Sequence, residues 1–184
     1  MDGAFWKVLA FLLCAVLMFL FPLMTVLDRQ DDIAYNIVLT ECNRFVDACR
    51  DTGYITPGMY SEFEDRINST GNTYTIKLSH IKRSVTPVYK QINGNLSFTG
   101  EYEVTHVNYG EQDILGVLYP DNTTLPVHDK SRRYDMSMGD LLFVEVQNKG
   151  KTMATAIRDM ILFRDTDYPA IFVRAGGMVR NEAY

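Results

Sequence analysis

Between Val8 and Leu27 the chain carries the run VLAFLLCAVLMFLFPLMTVL, in which the weakly acidic thiol of Cys14 is the only ionisable side chain. Lys7 stands before it, and Asp28 and Arg29 follow. At about 1.5 Å of rise per residue, a helix of this length matches the hydrocarbon core of a bilayer, and it bonds every backbone group internally as lipid requires. Pro22 is tolerable there and predicts a kink. The competing reading is a cleaved secretory signal, since the run starts near the initiator behind a lysine. Two features favour an anchor: the run exceeds a signal core in length, and its exit, FPLMTVLDRQ, offers no small-x-small cleavage site. A buried soluble helix would show a polar stripe, and this segment has none.

The anchor divides the chain into residues 1–27, a tail plus span, and residues 28–184, enough for one domain with an ordinary core. Positive charges nearly balance across the span, with Lys7 on one side and Arg29 and Arg44 on the other. The positive-inside rule therefore does not orient it. We expect a short cytoplasmic N-terminus and an extracytoplasmic domain, on the resemblance described below. The formal net charge of −5 argues against a nucleic-acid partner, which demands a basic surface.

After the span, Ile33, Ala34, Ile37, Val38, Cys42, Phe45, Val46 and Cys49 recur at spacings of three and four, the period of an amphipathic helix. Asp28, Asp32, Asn36, Thr40, Asn43, Asp47 and Arg50 fall opposite, and Gly53 is a helix stop. No Gly or Pro interrupts the chain between Pro22 and Gly53, so span and amphipathic segment predict one long rod. Cys42 and Cys49 would lie about 10 Å apart on that helix, too far for a disulfide. They read as small buried hydrophobes.

Thr56-Pro57 predicts the cap and first turn of a second helix ending near Thr70-Gly71-Asn72. The period then becomes two, predicting strands from Tyr74, over Phe98–Val107 after a turn at Asn93-Gly94-Asn95, from Asp140 along LLFVEVQN, and over Tyr168–Arg174 closed by Gly176-Gly177. Asp113–Leu118 predicts a brief helix, Thr152 caps another, and Pro120–Asp135 reads as a loop. The expected fold class is α+β: an N-terminal transmembrane helix continuing into an amphipathic one, packed on a small, mostly antiparallel sheet with one or two further helices.

Chemical motifs are sparse. His80, His106 and His128 belong to no zinc-ligand spacing, and there is no GxSxG elbow, P-loop or GxGxxG. No cofactor, metal or catalytic residue is expected. His80 and His106 could face each other across neighbouring strands, and Glu101 and Glu103 would share a strand face. Clustering of Glu101, Glu103 and His106 in a cleft would be needed to support a membrane-tethered hydrolase. Asn68, Asn95 and Asn122 fit the N-glycosylation pattern and read otherwise as turn residues.

The segments FVDACRDTGYIT, MYSEFEDRINSTGNTYTIKLSH, MGDLLFVEVQNKGKTMATAIRDMIL and IFVRAGGMVRNEAY, set behind an N-terminal anchor, resemble TadE-like, pilin-like small membrane proteins of bacterial tight-adherence and conjugative-element clusters. The resemblance implies a non-enzymatic pseudopilin-like subunit of a pilus, secretion or conjugation apparatus, with its globular part outside the membrane. It implies lipid contact through residues 8–27, other subunits of the apparatus as partners, and a possible homo-oligomer. Candidate assembly-interface residues are Pro22, Ile33, Ile37, Val38, Cys42 and Phe45. Burial of that stripe against the protein's own sheet is the alternative for most of them. Gly3-Ala4 imitates a prepilin cleavage junction, but the fifth residue after it is Val8, where pilins usually carry glutamate. A membrane-anchored ligand-binding or adaptor domain is the second functional reading; a pocket beside the sheet would favour it.

Overall fold

A computed structural model describes residues 2–92, 95–121 and 125–181. Its first element is the helix α1, Asp2–Thr52, which runs through Pro22 without a break and is about 76 Å long. The hydroxyl of Thr25 donates to the Phe21 carbonyl at 3.1 Å, so it finds its partner inside the helix. Gly53 ends the helix with φ 77°, its N–H donating to the Cys49 carbonyl at 2.9 Å. That left-handed geometry suits glycine.

The two halves of α1 have different surroundings. Side chains before Asp28 are largely exposed, and among the described residues α1 is the one helix long and apolar enough to cross a membrane. Beyond it, Ala34, Val38, Cys42, Phe45, Val46 and Cys49 are buried against the domain. The rest of the fold consists of β1 (Tyr54–Ile55), α2 (Pro57–Asn68), β2 (Tyr74–Ile92), β3 (Asn95–Tyr109), α3 (Glu111–Leu118), β4 (Tyr134–Asp135), β5 (Leu141–Asn148), α4 (Met153–Leu162) and β6 (Phe172–Met178). Thr56 caps α2 by accepting the Met59 N–H at 3.2 Å. Phe63 of that helix stacks on Phe45 with ring centroids 4.6 Å apart.

The main sheet is antiparallel, in the order β3-β2-β5-β6. Alternation on β5 buries Leu142, Val144 and Val146, which join Leu78 of β2, Val173 of β6 and the stripe of α1 in one core. The α+β class is as the sequence predicts.

Three expectations change. The last strand is Phe172–Met178 rather than Tyr168–Arg174, and Gly176 and Gly177 lie within it. Both glycines give room to other groups. A Cβ on Gly176 would come 2.7 Å from the Leu142 carbonyl oxygen and strike the Phe143 ring, and one on Gly177 would come 2.6 Å from the Arg50 guanidinium carbon. The stretch Pro120–Asp135, expected as a loop, holds a 3-10 turn at Lys130–Arg132 and the strand β4, which pairs with β1. Buried Arg132 anchors it, its Nε donating to the Leu118 carbonyl at 2.9 Å. Finally, β2 and β3 extend well beyond their expected lengths. The turn expected at Asn93-Gly94-Asn95 falls partly on residues 93 and 94, and the glycosylation pattern at Asn122 on residue 122, outside the described residues.

Candidate assembly surfaces

Strand β2 pairs with β5 only from Tyr74 to Ile81, whereas its pairing with β3 continues to Ile92. From Lys82 onward β2 and β3 therefore form a two-stranded ribbon about 35 Å long, projecting past the edge of the sheet. Pro87 is tolerated because β5 no longer needs a ladder donor there. Opposite Val88, the residues Thr99–Glu101 form a bulge: Gly100 adopts φ 83°, and the Thr99 hydroxyl donates to the Val88 carbonyl at 2.9 Å.

Apolar side chains on this ribbon face water. Tyr89, Phe98 and Tyr102 form an aromatic run with successive centroid separations of 5.8 and 5.3 Å, and Val85, Leu96 and Val104 are exposed beside them. A two-stranded ribbon has no second layer to cover both faces, so such residues commonly mark a contact surface. Among the described residues, the outer backbone edges of β2 beyond Arg83 and of β3 also lie outside the ladder, an arrangement able to accept an added strand.

The root of the ribbon is fixed by a buried polar knot. His80 and Asp140 are 2% and 1% exposed. The His80 Nε2 lies 3.0 Å from Asp140 Oδ2, and Nδ1 lies 2.7 Å from the Tyr134 hydroxyl. Asp140 also accepts the backbone N–H groups of Ser137 at 2.9 Å and Arg83 at 3.0 Å. Burial holds the His80 pKa below its ordinary value, against the opposing pull of Asp140. A neutral ring satisfies both contacts, with Nε2–H donating to Asp140 and Nδ1 accepting from Tyr134. Burial, reinforced by nearby Tyr109, Asp113 and Asp140, raises the Tyr134 pKa. This knot has the residue types of a catalytic relay, but its ring is enclosed and its hydrogen bonds are consumed in holding three segments together.

The other chemical candidates are dispersed. His106 pairs with Arg83, not with His80, whose cross-strand neighbour is Tyr109. Glu101, Glu103 and His106 are all exposed on the ribbon, and the three-residue step from Glu103 to His106 puts them on opposite strand faces. The cleft that a hydrolase reading needs is not formed by these three residues. Among the described residues, no group of three His, Cys, Asp or Glu side chains is placed to hold a metal.

The six residues expected as an assembly interface separate into two groups. Val38, Cys42 and Phe45 are sealed in the domain's own core, because their stripe faces β5 and α2. A partner subunit cannot reach them in the folded domain. Pro22, Ile33 and Ile37 are exposed, Ile33 at 61%. Asp28, which the sequence puts on the polar side of the helix, and Asp31 dock α4. Arg158 meets Asp28 at 2.7 Å, and the Thr152 hydroxyl donates to Asp31 at 2.6 Å. Local sequence carries no sign of these pairings, whose partners lie more than a hundred residues apart.

No family model, curated protein or solved structure matches the chain.

Proposed function

We propose that this protein is a non-enzymatic, membrane-anchored, pilin-like subunit of a bacterial pilus, secretion or conjugation apparatus, its domain outside the cytoplasmic membrane. The observation that carries this reading is the division of α1. One uninterrupted helix has an apolar first half open to its surroundings and a second half built into a domain core. Such a rod can seat its first half in lipid and align the domain for lateral packing against copies of itself. Pro22, Ile33 and Ile37 are among the exposed side chains on the rod available for that packing, and the ribbon supplies a second contact. An anchored adaptor is the alternative, favoured by the open ribbon edges, which suit strand addition by a different protein.

Recovery of the mature protein from bacterial membranes, N-terminal sequencing and crosslinking in place test the reading. An intact apolar segment with a ladder of self-crosslinked species is expected. Crosslinks to one unlike protein alone would favour the adaptor. A mature start after Leu27, with freely soluble product, would overturn the anchored subunit.

A further inference from the structure

Helix α4 lies antiparallel beside α1. Thr152 at its start bonds Asp31, Arg158 pairs with Asp28, and Ile161 and Leu162 at its end line a crevice with Leu17, Leu20 and Phe21. The helix thus points back along the apolar half of α1. Its last turn is apolar and uncovered: Met160, Ile161 and Leu162 are exposed, and Phe163 is 96% exposed at φ 48°. A left-handed aromatic residue held fully in water combines two unfavourable features.

We propose that the Met160–Phe163 end of α4 enters the bilayer beside the span, giving the domain a second lipid contact. This rests on reading the first half of α1 as membrane-embedded. Leu162 and Phe163 follow Arg158 by four and five residues, about 6–8 Å deeper along α4 than the ion pair at the exit of the span. Insertion to that depth suits an interfacial apolar tip. The charges on either side of it keep it shallow. Lys151 holds both Asp159 and Asp165, Thr166 donates through its N–H and hydroxyl to Asp159, and the Arg164 stem can extend toward the headgroups. Lipid as occupant follows from continuity, because the crevice shares Leu17, Leu20 and Phe21 with the segment that lipid would already surround.

The test uses the full chain with Trp6→Phe, carrying a single reporter as Phe163→Trp, Phe19→Trp or Tyr102→Trp, reconstituted at low density in phosphatidylcholine vesicles whose acyl chains are brominated near the glycerol end or at mid-chain. The reporter at position 163 should lose more than half its emission to the shallow bromines and less to the deep ones. The reporter at position 19 should be quenched and that at 102 should not. Quenching at 19 with a solvent-like, unquenched reporter at 163 overturns the second contact and leaves the anchor standing. An unquenched but blue-shifted reporter at 163 means a protein neighbour covers the tip, and also overturns it. No quenching at 19 overturns the anchor and the second contact together.

Discussion

The Oδ1 of Asp140 accepts the backbone N–H of Arg83 at 3.0 Å, two residues past Ile81, where β2 takes leave of β5. The carboxylate replaces a missing ladder partner at the root of the ribbon while its other oxygen holds His80 and the Ser137 N–H. Asp140→Ala should therefore destabilise the domain by about 3 kcal/mol, since buried donors lose a charged acceptor. Asp140→Asn should cost less. Denaturant melts of the detergent-solubilised protein, with hydrogen exchange at the Arg83 amide, check both. Unaltered protection of that amide in Asp140→Ala would contradict the role assigned to the carboxylate.

His80 gives this root a pH dependence. Its folded pKa lies below the ordinary value near 6.5, so below about pH 6.5 the unfolded chain binds a proton that the folded one resists. Its contribution to stability is complete above that pH and declines as pH falls toward the folded value. Unfolding free energy should decrease between pH 7.5 and 5.5, and His80→Gln should flatten that slope. A rise in stability over the same interval would mean that the folded ring is protonated.

The adjacent glycines of β6 should differ in their tolerance of a methyl group. At Gly176 the obstacle includes the Leu142 backbone carbonyl, which cannot move without distorting the β5 pairing. At Gly177 it is the guanidinium of Arg50, a long side chain whose Nε donates to the Met178 carbonyl at 2.8 Å. Gly176→Ala should cost about 3 kcal/mol and Gly177→Ala about 1 kcal/mol in thermal or denaturant unfolding. Equal costs would contradict this packing.

Burial pushes the Cys42 thiol up to about 12 and raises that of Cys49 as well. In a Cys14→Ser variant, native protein should bind no maleimide, and denatured protein should bind two equivalents. Rapid labelling of the native form would show that the stripe of α1 opens readily.

Elements written in local period and cap chemistry were legible in the sequence: the continuous helix from span to Gly53, the Thr56 and Thr152 caps, and the alternation of β5. What depends on distant partners was not. Gly176 and Gly177 resemble a strand stop until Phe143 and Arg50 are seen lying over them. Likewise, Val38, Cys42 and Phe45 share one helical stripe with Ile37, and spacing alone cannot tell which edge of it the sheet will cover. The ribbon was hidden for another reason: beyond Ile81 neither face is buried uniformly, so the alternation that marks a half-buried strand fades. The His80 knot joins residues 54 and 60 positions apart, with no motif to announce it.

The division of α1 into a buried and an available edge is tested most directly by disulfide scanning in native membranes, with single cysteines introduced in the Cys14→Ser background. Ile33→Cys and Ile37→Cys should each yield an oxidation-dependent, disulfide-linked dimer, and Val38→Cys, one position away but fully enclosed, should yield none. Membrane-extracted monomer alone from all three variants would contradict lateral assembly through this helix.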